Sequence, residues 1–382
     1  MKRAGWMIVV FSLLLCVLPL RGQAVELNVA GKSAVLIDVA TGTVLYEQNA
    51  HEALAPASVT KVMTMLLIME AIDSGRITFD DMVTASEAAA AKGGSQIYLK
   101  VGESMSVSDM LKSIAVSSAN DCACAMAEHL QGSEAAFVDA MNKRAQELGM
   151  ADTHFVNCTG LDDDAGAAEH LTSAHDIALM SRELLAKHPD IKKFTTIWMD
   201  SVRNGTFGLS NTNKMVRFYN GCTGLKTGFT AKAGYCLSAS AQRDGMELIV
   251  VVMGCGSSAE RFAACKSLLD YGFANYALIS PEAQTGQVPV KLGNADSVTA
   301  VPGEEPVLLI DKAQQSAVTT RLELEESITA PVSRGQRLGT MTILCGEQVL
   351  RQIPMVAEKP VSKLTFGQMF LKILKIAAMA RQ

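Results

Sequence analysis

Three short segments of this chain could do chemistry together: Ser58-Val59-Thr60-Lys61, Ser118-Ala119-Asn120 and Lys226-Thr227-Gly228, in that order. A serine and a lysine three positions apart at the start of a helix share one face, which pairs a nucleophilic hydroxyl with an amine base. The apolar run over residues 62–69 predicts a buried helix ending near Gly75. Burial would draw Lys61 toward its neutral form, and Ser58 at the helix N-terminus would meet a dipole that favours developing negative charge. Ser118-Ala119-Asn120 falls between two helical patterns, the first opened by Ser106 and the second running from about Asp121 to Leu130. From such a junction Ser118 can relay a proton to a leaving amine, and the Asn120 amide can bond both Lys61 and a substrate peptide group. On a strand edge Lys226 and Thr227 can bind a carboxylate, while Gly228 admits a ligand close to the backbone. Each segment has a plainer alternative: a helix cap with a lysine reaching solvent, a turn, and an edge-strand lysine. Their occurrence in order in one chain favours an acyl-transfer site.

These residues resemble the motif set of the serine-type D-alanyl-D-alanine carboxypeptidases, the low-molecular-mass penicillin-binding proteins of peptidase family S11. Gly149-Met150, Thr153-His154-Phe155-Val156-Asn157, Thr159-Gly160-Leu161-Asp162 and Gly234-Tyr235 agree with that family, and the similarity spans the mature chain. The resemblance implies Ser58 as acyl-ester nucleophile, Lys61 as its base, Ser118 and Asn120 as the second group of contacts, and Lys226-Thr227 as the carboxylate site. It also implies an oxyanion hole from the backbone N–H groups of Ser58 and Phe229, and Arg261 as the counterpart of a family arginine near the substrate carboxylate. Ala119 stands where many relatives have glycine, and Phe229 where some carry histidine. The implied substrates are peptidoglycan stem pentapeptides, which lose their terminal D-alanine, and the implied inhibitors are β-lactams. No cofactor or metal is implied. A β-lactamase shares the acyl-transfer site, yet the chain has no Glu-x-x-Leu-Asn segment of the class A type. A non-catalytic wall-binding or β-lactam-sensing protein would have little use for an intact Ser58, Lys61, Ser118 and Lys226.

The chain has 382 residues, with 34 Lys+Arg against 39 Asp+Glu. Lys2 and Arg3 precede an apolar run over residues 7–20, and Gly22-Gln23-Ala24 offers small residues for cleavage, so residues 1–24 read as a secretory signal peptide. Its loss removes three basic residues and no acidic one, leaving 31 basic against 39 acidic, a formal charge of −8. Such a chain is no nucleic-acid binder. Eight of nine cysteines remain, most of them inside apolar patterns, where a thiol behaves as a small buried hydrophobe; mostly free thiols are expected. His170 and His175 lack metal-ligand spacing, and His154 reads as structural because the Ser-Lys pair already supplies a base.

Those residues need elements to hold them. A strand pair over residues 35–44, a largely helical block over 59–186, a hairpin over 235–253 turning at Arg243-Asp244-Gly245, and a helix over 260–269 make an α+β domain, residues 25–279. The resemblance gives it a β-lactamase/transpeptidase-like fold. Short alternating runs near 288–291, 297–301, 307–310, 319–324, 341–344 and 349–353 predict a small all-β domain over 280–360. In residues 361–382, Leu364, Met369, Phe370, Ile373, Leu374, Ile376 and Ala377 recur at helical spacing against Lys363, Lys372, Lys375 and Arg381. Four cations suit an amphipathic helix lying on the outer face of the cytoplasmic membrane better than one crossing it.

Overall fold

A computed structural model describes residue 27 and residues 29–162 and 166–371. The predicted signal peptide and the second half of the predicted anchor, residues 372–382, lie outside them.

Five antiparallel strands form the central sheet, in the spatial order Val44–Gln48, Ser33–Asp38, Met246–Cys255, Gly234–Arg243 and Cys222–Thr230. The middle strand is buried along its length because both faces are covered, and its side chains alternate between two cores. Ile249, Val251 and Met253 face the helical block, whereas Leu248, Val250 and Val252 face the helix Ser258–Asn275. The hairpin forms as its Asp-Gly signal requires, with Arg243 opposite Met246 and positive φ at both Asp244 (49°) and Gly245 (80°). The first strand pair extends past the expected 44 to Gln48, since Tyr46 packs on the sheet.

The helical block is built around Lys61–Asp73, which is apolar on nearly every side and therefore sits inside the domain, enclosed by Val107–Ser117, Asn120–Gln131, Glu134–Glu147 and Ala174–Lys187. Ser106, Ser133 and Ser173 each cap a helix by accepting a backbone N–H. Ser58 itself is not the first residue of an α-helix. It lies in a single 3-10 turn, Ala57–Thr60, and the α-helix begins at Lys61.

Beyond the helix Ser258–Asn275 comes a second sheet of six strands, ordered Val318–Leu324, Arg337–Cys345, Gln348–Ala357, Ser297–Pro302, Gly286–Lys291 and Ile328–Thr329, with its own core. The expected strand near 307–310 is present as Leu308–Asp311 but joins another partner, Tyr276–Ile279. That ribbon spans residue 279, with Leu278 and Leu309 packed on the core beneath the helix Ser258–Asn275 and Ile279 on the core of the six-stranded sheet. No helix among the described residues is long and apolar enough to cross a membrane.

Candidate active site

The edge strand Cys222–Thr230, the 3-10 turn and the junction between helices Val107–Ser117 and Asn120–Gln131 meet at one place. A Cβ on Gly228 would lie 2.7 Å from Pro56 O and 3.1 Å from Ser58 N, so only a glycine lets the strand run against the Ser58 backbone. Ala57 adopts φ 49°, a left-handed conformation costly for a residue with a Cβ, and this turns the chain to present half-buried Ser58.

Lys61 is fully buried, with Nζ 3.0 Å from Ser58 Oγ and donating to Thr159 O at 2.8 Å. Burial lowers its pKa to about 7, against a smaller opposing pull from Cys158 and Asp121. Half of the molecules then carry a neutral amine at neutral pH, able to take the proton of the hydroxyl it touches. Asn157 shapes the acceptor turn: its Oδ1 accepts from Thr159 N and Gly160 N, and Nδ2 donates to Leu161 O.

Ser118 ends the helix Val107–Ser117 in the left-handed region, φ 62°, and is nearly buried. Asn120 opens the next helix; Nδ2 donates to Gly93 O at 2.7 Å, and Oδ1, though buried, has no hydrogen-bond partner. The expected bond to Lys61 is therefore not formed, because the Lys61 amine turns to Ser58 and Thr159 instead.

Lys226 is buried, its Nζ donating to Thr227 O at 3.0 Å. Burial first, then the positive charges of Lys61 and Arg261, hold its pKa well below the ordinary lysine value. Thr227 Oγ1 shares a 2.6 Å hydrogen bond with Thr212 Oγ1, and Thr212 N donates to Val116 O, which ties the strand to the helix that carries Ser118. The Phe229 ring is exposed and packs on Tyr235, and it is the residue before it, Gly228, whose backbone runs against Ser58. Arg261 is placed behind the strand. Its guanidinium donates to Gly228 O (3.0 Å) and Cys236 O (3.1 Å) and lies over the Tyr235 and Phe262 rings.

Several residues at the site gave no signal of their own in the sequence. Asp121 accepts from the backbone N–H of Ile97, Leu99 and Cys122, pinning the loop that supplies Gly93. Buried His170 joins Thr60 Oγ1 (2.8 Å) to Val156 N (3.0 Å), while His154, the one expected to be structural, is exposed and pairs with Leu171 through its main chain. Only the Thr-Gly-Leu-Asp resemblance pointed toward Thr159.

A family model described as D-alanyl-D-alanine carboxypeptidase matches residues 21–257, which is more than half of the chain and includes all three motifs. The chain belongs to that family. A second model, described as Penicillin-binding protein 5, C-terminal domain, matches residues 273–363. D-alanyl-D-alanine carboxypeptidase DacF of Bacillus subtilis strain 168 is 44% identical over 348 residues, covering 89% of this chain and 88% of the relative. The crystal structure of penicillin binding protein 5 from Haemophilus influenzae is similar with a TM-score of 0.76 at 30% identity, covering 88% of this chain and 98% of the other. Penicillin-Binding Protein D2 from Listeria monocytogenes, solved in its ampicillin bound form, is similar with a TM-score of 0.59 at 32% identity, covering 65% of this chain and 99% of that one. Family membership makes this chain a serine-type D-Ala-D-Ala carboxypeptidase of peptidoglycan metabolism, and an acyl-enzyme route is general to the family.

Proposed function

We propose that Ser58 carries the acyl group and that Lys61 is its general base. The observation that carries this reading is the fully buried Lys61 amine 3.0 Å from Ser58 Oγ. Ser58 Oγ attacks the carbonyl of the penultimate D-alanine while its proton passes to Lys61 Nζ. The backbone N–H groups of Ser58 and Phe229 receive the developing oxyanion. The peptide bond breaks, the leaving D-alanine amine gains a proton through Ser118, and water then hydrolyses the ester. Asn120 Oδ1, without a partner in the protein, accepts from a substrate amide. Lys226 and Thr227 hold the terminal carboxylate; its negative charge offsets the burial that depresses Lys226, so the ammonium form is restored when substrate binds. Arg261 is a positioning residue, acting through the Gly228 carbonyl. β-Lactams acylate the same serine, in keeping with the ampicillin bound form of the Listeria monocytogenes relative. Ser58→Ala should abolish both D-alanine release from a D-Ala-D-Ala peptide and labelling by penicillin. Labelling that persists at another serine overturns the assignment.

Residues 1–24 serve as the export signal, and residues 361–382 hold the enzyme peripherally on the outer face of the cytoplasmic membrane. The helix that starts at 366 exposes Phe366, Phe370 and Leu371, the apolar stripe such an anchor needs. Deleting residues 363–382 should give a soluble, active enzyme. If that truncation still sediments with membranes, the anchor lies elsewhere.

A further inference from the structure

Lys92 and Glu134 form an ion pair at 2.7 Å that the reaction above does not use, with side chains only 16% and 22% exposed. They come from separate elements: Lys92 follows the short helix Glu87–Ala90, and Glu134 opens the helix Glu134–Glu147. Burial opposes the charge on Glu134, but Lys92 and Cys158 outweigh it and hold the carboxyl below the ordinary glutamate pKa, so the pair stays ionised at neutral pH.

Each end of this pair lies next to a carbonyl that holds a side chain of the site. After Lys92 comes Gly93, whose O accepts from Asn120 Nδ2 at 2.7 Å. Glu134 Oε1 accepts from Cys158 N at 3.3 Å and from Cys158 Sγ at 3.2 Å, and after Cys158 comes Thr159, whose O accepts from Lys61 Nζ at 2.8 Å. The two segments also meet directly. A Cβ on Gly94 would stand 2.8 Å from Asn120 Nδ2 and 3.2 Å from the Leu161 side chain, and Leu161 O accepts from Asn157 Nδ2 in the turn that presents Thr159. A shift of either segment is therefore felt at both Asn120 and Lys61.

We infer that the Lys92–Glu134 ion pair is a clasp between these two segments, a pair of positioning residues that sets Gly93 O and Thr159 O in one register and through them aligns Asn120 with Lys61. The inference rests on Lys61 acting as the base and Asn120 as a substrate contact. Neither Lys92 nor Glu134 touches the reacting atoms; their effect passes through the two carbonyls, and a misplacement of about 1 Å there is enough to slow the chemistry by one or two orders of magnitude.

The test is stopped-flow acylation of the full-length enzyme by a fluorescent penicillin at several concentrations, well below the Tm of each variant, which separates the binding constant of the initial complex from the first-order acylation rate. Glu134→Gln keeps an acceptor for Cys158 N but loses the charge, and Lys92→Met removes the cation. Each should lower the acylation rate, which Lys61 sets, about tenfold or more, and weaken the initial complex, which Asn120 helps to hold, about threefold or more. The double variant should be no worse than the poorer single one, because the same pair is broken in all three. Lys92→Arg keeps the cation and should bring both constants back to within about threefold of native. A pair that served stability alone would lower Tm and leave both constants of the folded enzyme native. That outcome, a deficit in only one of two folded single variants, or single deficits that multiply in the double variant overturns the inference. A native rate that does not climb between pH 6 and pH 8 instead removes Lys61 as the base, whereas a native climb beside unimpaired variants removes only the clasp. Should one single variant fail to fold, the other, set against Lys92→Arg, still decides.

Discussion

Acylation by this enzyme should follow the titration of Lys61. A lysine with its ordinary pKa of 10.5 is neutral in about 3 molecules in 10⁴ at pH 7, whereas one lowered to about 7 is neutral in about half, so burial supplies a roughly thousandfold gain in base. With that midpoint the neutral fraction climbs about tenfold between pH 6 and pH 8 and then levels off. The assay is stopped-flow acylation by a fluorescent penicillin across that range. Lys61→Arg keeps the charge but holds no removable proton, so it should lower the rate by about 10²–10⁴ and flatten the climb. Stability has to move with it. The folded pKa lies below the unfolded one, so the unfolded chain binds more protons between about pH 7 and pH 10.5, and stability rises with pH across that window. From pH 7 to pH 9 the Lys61 share of that rise is about 2 kcal/mol, read from urea midpoints and absent in Lys61→Met. A native acylation rate that stays flat between pH 6 and pH 8, or that climbs only above pH 9, would refute the assignment of Lys61 as a base tuned by burial.

Three further outcomes are expected. Gly228→Ala sets a Cβ against Pro56 O and Ser58 N, backbone atoms that cannot step aside, and should cut kcat/KM by about 10²-fold while the protein still folds; a rate within threefold of native would count against the tight strand-to-serine approach. Lys226→Ala should lower kcat/KM by about 10–100-fold on peptides ending in a free carboxylate and little on their amides, so a native enzyme indifferent to amidation would contradict the carboxylate site. His170 has its pKa lowered to about 4 by burial; its contribution to stability is whole above pH 6.5 and is lost as pH falls toward 4, up to about 3 kcal/mol, and His170→Asn should remove that acid limb from a plot of urea midpoint against pH.

Much of the frame was legible because it follows local rules. The Asp-Gly hairpin, the capped helix after Ser106 and the buried helix ending near Gly75 each carry their own signal in spacing or turn chemistry. The two sheets were legible as strands but not as partners. Leu308–Asp311 alternates like its neighbours, and nothing in those residues says that it pairs with Tyr276–Ile279 and not with the six-stranded sheet. The site divides in the same way. Ser58 and Lys61 are fixed by a spacing of three on one turn, so the motif implies the contact. Thr159, Thr212, Asp121 and His170 act between separate stretches of chain through a few hydrogen bonds each, and a threonine or a carbonyl has no periodicity to betray it. The mistaken Asn120–Lys61 bond has the same root: the sequence offers the amine several acceptors, and only the folded turn at Asn157 decides that Thr159 O is one of them.

The features that make this site reactive are ones that folding alone would remove. Two lysine amines, Lys61 and Lys226, are buried, and the positive charge of Lys61 adds to the burial that disfavours the charged form of Lys226. Ala57 and Ser118, non-glycine residues with φ of 49° and 62°, flank the chemistry on both sides of the cleft. Left-handed positions of this kind cost of order 1–3 kcal/mol each, and a buried unpaired cation costs more, so they persist only where the surroundings leave no alternative. Here the strand Met246–Cys255, packed on both faces, and the enclosed helix Lys61–Asp73 supply that constraint. It follows that stability and base strength are opposed at Lys61. A substitution that let water reach the amine would relieve its desolvation and strengthen the fold, and by raising the pKa would leave fewer neutral amines to deprotonate Ser58.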